Sequence, residues 1–240
     1  MRAIIIAAGR GSRLGKITDN IPKPLVEVNG ESILGRQISL FNQLGINDIV
    51  VITGYKREKI IFKDINYVVN DLYSTTEQLF SLMKARSFFS GDLIVCYGDI
   101  IYDQEILNQM ISKKGDLVLA VDQNWKQSYA MRPDNPAIFS DFVNIKNNKI
   151  NKFFTNLEQE SFDNDHVVEF IGMMKLSSNG TKAFLTQYLE IEKVTEKLKI
   201  IGFLEKLRRS GVNMSTYFVE HKWCEIDTPQ DLEIAKVLFA

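Results

Sequence analysis

The sequence predicts an α/β protein with a mixed, mainly parallel sheet covered by helices, and three observations carry that expectation. Runs of Ile and Val are continuous rather than alternating, as in strands buried on both faces. Segments of helical period separate these runs, as crossover connections require. After Val121 the pattern changes: strand-like runs flank Asn147-Asn148, a pair that tolerates positive φ in a tight hairpin turn. An antiparallel extension should therefore follow the parallel part.

Taken in order, residues 3–7 (Ala-Ile-Ile-Ile-Ala) form the first strand and lead into a glycine-containing loop. Further strands are expected at Ile49–Thr53, 67–69, Leu93–Tyr97 and 117–121, with helices at 33–44, 76–88 and 104–111. The hairpin pairs 139–145 with Lys149–Phe154. Polar residues 155–165 read as a loop, His166–Leu176 as another strand, 180–189 and Ile200–Arg209 as helices, and 223–226 as a short strand. Thr228-Pro229-Gln230-Asp231 opens the last helix: threonine as N-cap, proline at the first helical position and aspartate completing a capping box.

Composition narrows the class. A chain of 240 residues with 45% hydrophobic and 25% charged residues can bury a full core, so disorder and coiled coil are not expected. One domain over 1–240 is the expectation, without repeats or a flexible linker. The 29 basic residues balance 30 acidic ones, which disfavours a surface built to neutralise duplex phosphates. No apolar run is long enough to span a bilayer and residues 1–8 do not resemble a signal peptide, so a cytoplasmic protein is expected. Cys96 and Cys224 form no CxxC pair and should be reduced core thiols, and His166 and His221 lack metal-ligand spacing.

The loop Ala7-Ala8-Gly9-Arg10-Gly11-Ser12-Arg13-Leu14-Gly15 leaves a buried strand, where small residues let backbone amides approach phosphate oxygens. It is neither a dinucleotide fingerprint, which would need glycine at Leu14, nor a P-loop, which would need Ser or Thr at Ile17. It adds Arg13 and, shortly after, Pro22-Lys23-Pro24-Leu25, so two cations follow the glycines. Without those cations it would read as a turn with solvated charges.

These segments, with Tyr97-Gly98-Asp99 and Glu225-Ile226-Asp227-Thr228, resemble the signature of the sugar-phosphate nucleotidylyltransferases and their cytidylyltransferase relatives. The resemblance implies a Rossmann-like three-layer α/β/α fold of the nucleotide-diphospho-sugar transferase type. It makes Ala7, Ala8, Gly9, Gly11, Ser12, Arg13, Lys23 and Gly98 nucleotide-binding, with Arg13 and Lys23 on the phosphates, and Asp99 and Asp227 metal-binding. Both aspartates follow strands, where α/β sheets place ligands, and hard oxygen donors suit Mg²⁺. Glu225 is expected on the strand face opposite Asp227 and is a lesser candidate. A dianionic phosphate or phosphonate acceptor needs no protein base, so catalysis reduces to positioning and charge neutralisation during in-line attack, with Arg13 and Lys23 as the catalytic cations.

Asp122-Gln123-Asn124-Trp125, Tyr129 and Arg132 resemble a segment of cytidylyltransferases acting on phosphocholine-like or phosphonate acceptors. Trp125 and Tyr129 would hold an ammonium by cation–π attraction and Arg132 the phosphonate, while Glu169 on a later strand would meet an amine. The acceptor-binding elements then lie mainly in 122–222. Trp125 and Tyr129 would equally suit the apolar stripe of a short helix. Thr76 and Gln78 stand where the family reads the base, though a helix cap explains them as well. The expected partners are an NTP, CTP favoured, and a small phosphate or phosphonate acceptor, with no nucleic acid and no membrane; a homodimer is left open. The alternatives are a sugar-1-phosphate nucleotidylyltransferase, which usually shows a Glu-Lys-Pro type segment absent here, and a noncatalytic nucleotide-binding regulator, which would be expected to lose Lys23, Asp99 or Asp227.

Overall fold

The computed structural model describes residues 1–155, 157, 166–191 and 196–240. β1 (Arg2–Ala7) leads into a small hairpin of β2 (Glu27–Val28) and β3 (Glu31–Ser32), then α1 (Ile33–Gln43), β4 (Ile49–Thr53) and β5 (Asn66–Val69). α2 (Gln78–Lys84) precedes β6 (Leu93–Tyr97). β1 lies between two parallel partners, Ile4 facing Val50 of β4 and Val95 of β6, and β5 closes that edge beside β4. Every residue of β4 is buried, as its unbroken apolar run requires. Ser32 caps α1, its Oγ accepting from Gly35 N at 3.1 Å, and Leu34, Ile38 and Phe41 pack with Ile5 and Val51 on one face. Leu79 and Leu82 of α2 pack with Ile4 and Val50 on the other face, so helices cover both sides. α2 is shorter than expected; after Lys84 the chain tightens into a 3₁₀ turn at Arg86–Phe88.

The second half joins the same sheet. β7 (Ile100–Tyr102) and α3 (Gln104–Ser112) lead to β8 (Leu117–Asp122) and the short α4 (Trp125–Ala130). β9 (Phe142–Lys146) and β10 (Lys149–Phe154) form the expected hairpin, with Asn147 and Asn148 at φ of 51° and 60°. β9 starts later than expected, because Ala137–Phe139 form a 3₁₀ turn behind Pro136. The polar segment expected as a loop at 155–165 lies, except for 155 and 157, outside the described residues. β11 (His166–Leu176) is antiparallel to all its neighbours: β9 at its start, β6 at its end, and β8 along its other edge. Its register with β8 shifts between Phe170 and Met174, where Gly172 takes φ of 81°.

α5 (Ser178–Ile191) and α6 (Ile200–Arg209) precede β12 (Met214–Phe218), which pairs parallel with β8. β13 (Trp223–Glu225) leaves the main sheet and pairs antiparallel with β7, and α7 (Pro229–Leu238) opens on the expected capping box between Thr228 and Asp231. Leu14, Val26, Ile101, Ile226 and Leu232 form one apolar cluster. The glycine-loop segment is thereby packed against the C-terminal helix. No helix among the described residues is long and apolar enough to cross a membrane.

Candidate active site

The cations come from the loop behind β1. Ala7 and Ala8 are buried, and Gly11 turns the chain at φ of 73° into the 3₁₀ turn Ser12–Thr18. A Cβ on Gly11 would stand 2.7 Å from Lys23 Cβ, so glycine is what lets the loop close over the Lys23 side chain. Pro22 and Pro24 flank Lys23 and restrict its backbone within the turn Lys23–Leu25. Its ammonium reaches Asp99 Oδ2 at 2.8 Å and also bonds Asp227 Oδ1. Arg13 donates from Nη2 to Asp227 Oδ2 at 2.7 Å and from Nη1 to Asn135 Oδ1 at 2.9 Å. Gly98 N donates to Ile6 O at 2.9 Å, tying the segment that carries Asp99 to the end of β1. Thus Arg13, Lys23, Asp99 and Asp227, which span almost the whole sequence, converge on one point.

Glu225 belongs to the same cluster, which corrects its assignment to the face opposite Asp227: residues two apart in extended backbone share a face. Ligand oxygens of Asp99, Glu225 and Asp227 lie within 4.8 Å of one another. β13 ends at Glu225, Ile226 N donates to Asp99 O at 2.9 Å, and Thr228 already caps α7, which holds Asp227 beside Glu225. Burial, followed by the charges of Asp227 and Asp99, drives the Glu225 carboxyl well above its ordinary range. Burial would also raise Asp227, but Lys23 and Arg13 more than offset it and hold that carboxyl below its usual value. Asp99 Oδ1 is buried and accepts no hydrogen bond. The raised Glu225 carboxyl and the orphaned Asp99 oxygen mark three carboxyl groups crowded beside two cations, with an oxygen left to be satisfied. A hard divalent cation fits this all-oxygen set, with Asp99 and Asp227 as ligands and Glu225 beside them.

Behind this cluster, Asp231 organises the backbone. Its Oδ2 accepts from Asp227 N, Thr228 N and Asn135 Nδ2 at 3.0, 2.8 and 3.0 Å, and its Oδ1 from Arg132 Nε at 2.6 Å. Asn135 in turn carries Arg13. Arg132, expected to hold the acceptor, is buried and does not line the cleft; its Nη2 donates to Glu225 O at 3.2 Å. The geometry makes it a brace for β13.

The carboxylates open onto a cleft of about 440 Å³ whose walls include Gly9, Arg13, Thr76, Gln78, Tyr97 and Glu169. Thr76 and Gln78 do face it, and neither caps α2, whose N-cap is Glu77 without a side-chain bond. Thr76 Oγ1 is anchored to Leu72 O and Asn70 Nδ2, while Gln78 Oε1 is buried without a partner. Glu169, Phe170, Ile171 and Gly172 all face the cleft because the bulge in β11 interrupts alternation. Ser140, Asp141, Tyr73 and Lys199 complete this side and carried no motif in the sequence. Glu169 Oε1 accepts from Tyr129 Oη at 2.7 Å, and Tyr129 also bonds Ser140, so Tyr129 supports the wall from behind. Trp125 is 7% exposed, stands 4.8 Å from the Phe142 ring and donates to Val167 O at 3.0 Å. It belongs to a satellite core with Phe154, the helix-stripe alternative, rather than to the cleft. Burial raises Glu169 to about 7, partly offset by Tyr129, and raises Asp141 to about 6. Cys96 and Cys224 are buried free thiols, and neither histidine lines the cleft.

This geometry is that of a phosphate-handling transferase. The family model of the MobA-like NTP transferase domain matches residues 3–154, and the chain belongs to that family; it is a nucleotidyltransferase. It is 28% identical over 254 residues to the CTP:phosphoglutamine cytidylyltransferase of Campylobacter jejuni, covering 98% of each chain. It is 24% identical to the CMP-5'-(3-aminopropyl)phosphonate synthase of Streptomyces rubellomurinus, matching with 100% of its own length but 39% of that protein. A candidate glucose-1-phosphate thymidylyltransferase from Bacillus anthracis superposes with a TM-score of 0.80 at 19% identity, over 99% of this chain and 94% of that one. That likeness speaks for the Rossmann-like fold alone.

Proposed function

We propose that the chain transfers a cytidylyl group from CTP to a small acceptor bearing a phosphate or phosphonate, with Mg²⁺, and releases pyrophosphate. The observation that carries this reading is the meeting of Lys23 and Arg13 with Asp99 and Asp227 at the mouth of the cleft. The chemical obstacle is repulsion between a dianionic acceptor and a triphosphate, so charge neutralisation and alignment dominate the barrier. Arg13 and Gly9 line the cleft, and Lys23, buried beside them between Asp99 and Asp227, would neutralise the phosphates with Arg13, while the loop from Gly9 to Ser12 would offer close backbone approach. Mg²⁺, held by Asp99 and Asp227, would add positive charge at the triphosphate. No group needs to take a proton from the acceptor, because its oxygen is already anionic. Thr76 and Gln78 face the cleft where a base would be read, and Glu169 where an acceptor would sit. The two relatives named above for cytidine nucleotides support CTP and a phosphorylated or phosphonate acceptor.

The test is pyrophosphate release from four NTPs crossed with phosphate and phosphonate acceptors, including glucose 1-phosphate. Turnover only with CTP and a small amine- or choline-bearing acceptor is expected. Preference for UTP or dTTP with a sugar phosphate would replace this reading with an NDP-sugar synthase.

A further inference from the structure

Among the described residues, eight buried side-chain polar atoms make no hydrogen bond, and five of them line the one cleft: Gln78 Oε1, Tyr97 Oη, Asp99 Oδ1, Asp141 Oδ1 and Glu169 Oε2. Buried polar atoms are ordinarily paired, so this concentration marks where a ligand completes the bonds. Asp99 belongs to the metal cluster. Of the remaining four, three are oxygens that only accept while the carboxylates are ionised, and two of those are carboxylates.

Asp141 and Glu169 come from neighbouring backbone: Phe170 N donates to Asp141 O at 2.8 Å across the start of β9 and β11. Glu169 is 2% exposed, with one oxygen held by Tyr129 and the other free. The charged and titratable groups facing Asp141 include Lys199, Glu77 and Tyr97, and those facing Glu169 include Tyr129, Arg132, Asp122 and Glu225. Arg132 is already committed to Asp231. Lys199 and Arg13 also line the cleft, but neither bonds the free oxygens of Asp141 and Glu169, which remain open to a cation with N–H bonds. A quaternary ammonium lacks those bonds and would leave both carboxylates desolvated without partners. Tyr73, Tyr97, Phe170 and Trp223 line the cleft and could face such a group, but an aromatic face would leave the free oxygens of Asp141 and Glu169 unbonded.

We infer that the acceptor carries an ammonium with N–H bonds, a primary or secondary amine, seated by Asp141 and Glu169, and that a trimethylated nitrogen is a poor substitute. This inference rests on the reading of the cleft as a nucleotidyl-transfer site. Because a cation is held only by ionised carboxylates, binding should weaken as pH falls through about 7, where Glu169 takes up a proton, and further through about 6, where Asp141 does.

The probes are 2-aminoethyl- and 3-aminopropylphosphonate, their N-trimethyl analogues and the alkylphosphonates of equal length. Each is titrated calorimetrically into the full chain carrying Mg²⁺ and a non-hydrolysable CTP analogue. At least one amine should bind more tightly than both counterparts by about tenfold or more, the scale of losing one partner of a desolvated charge pair. In Asp141→Asn and Glu169→Gln the ratio between amine and alkylphosphonate should collapse towards one. Should a variant not fold, the wild-type ligand series decides alone. Equal or tighter binding of the trimethyl or alkyl ligands, or no binding of either amine, overturns the inference. The CTP analogue's own titration reports separately on nucleotidyl transfer. Failure there sinks the functional reading, whereas nucleotide binding without an amine advantage sinks only this one.

Discussion

Burial would strip Lys23 of its charge, and Asp99, Asp227 and Glu225 together keep the ammonium above its ordinary value. A cation held in place before substrate arrives costs no reorganisation during reaction. Lys23→Ala should therefore lower kcat by ~100-fold or more at saturating substrates. An unchanged kcat with a raised KM would reduce Lys23 to a binding contact. Glu169 shows the opposite balance, since burial lifts its folded value to about 7 from 4.5. Between those limits the folded chain holds a proton that the unfolded chain has lost, so this group makes stability fall as pH rises. Glu169→Gln keeps an oxygen for Tyr129 and removes the titration. Its Tm should exceed that of the parent by a margin that grows from pH 5 to pH 8. A margin independent of pH would show that Glu169 titrates normally in the fold.

At the scale of the element, continuous apolar runs located β1, β4, β6 and β8, and the Asn147-Asn148 pair located a hairpin turn whose two positive φ angles the structure contains. β12 escaped because Met214-Ser215-Thr216-Tyr217-Phe218 has no Ile or Val run; only Tyr217 is fully buried there, and pairing with β8 makes it a strand. The bulge in β11 also has no local signature beyond Gly172, whose Cβ would meet the Tyr97 ring at 2.5 Å. α4 illustrates a choice that sequence left open. Trp125 and Tyr129 share a helix stripe, but Trp125 packs inward on Phe142 while Tyr129 braces Glu169. Emptying a buried aromatic site costs about 3–5 kcal/mol. At 2–4 °C per kcal/mol for a chain of this size, Trp125→Ala should lower Tm on the order of 10 °C. It should weaken every substrate alike. A selective rise in the acceptor KM with an unchanged Tm would return Trp125 to the cleft.

On the scale of the whole molecule, the cleft gathers the loop behind β1, the segment before α2, the end of β6, β11 and the turn into α7. Where a segment carries a dense local motif, as in Gly9-x-Gly11-x-Arg13 or Pro22-Lys23-Pro24, its place beside the carboxylate cluster was readable from sequence. Ser140, Asp141 and Lys199 reach the cleft only through tertiary proximity, and Arg132 lies outside its lining, paired with Asp231. That distribution has a thermodynamic consequence, because residues from both ends of the chain must be folded for nucleotide to bind. A ligand that binds only the native state stabilises it by RT ln(1 + [L]/Kd), about 2.7 kcal/mol at 100 times Kd. For a chain of this length, that corresponds to a rise in Tm of roughly 5–10 °C. The carboxylates of Asp99, Glu225 and Asp227 outnumber Arg13 and Lys23, and a triphosphate adds further negative charge. CTP with Mg²⁺ should therefore produce the full shift, CTP in EDTA little, and Mg²⁺ alone an intermediate one, as read by differential scanning calorimetry. A full shift from CTP in EDTA would show that Arg13 and Lys23 suffice for the phosphates and would remove the case for a metal between Asp99 and Asp227.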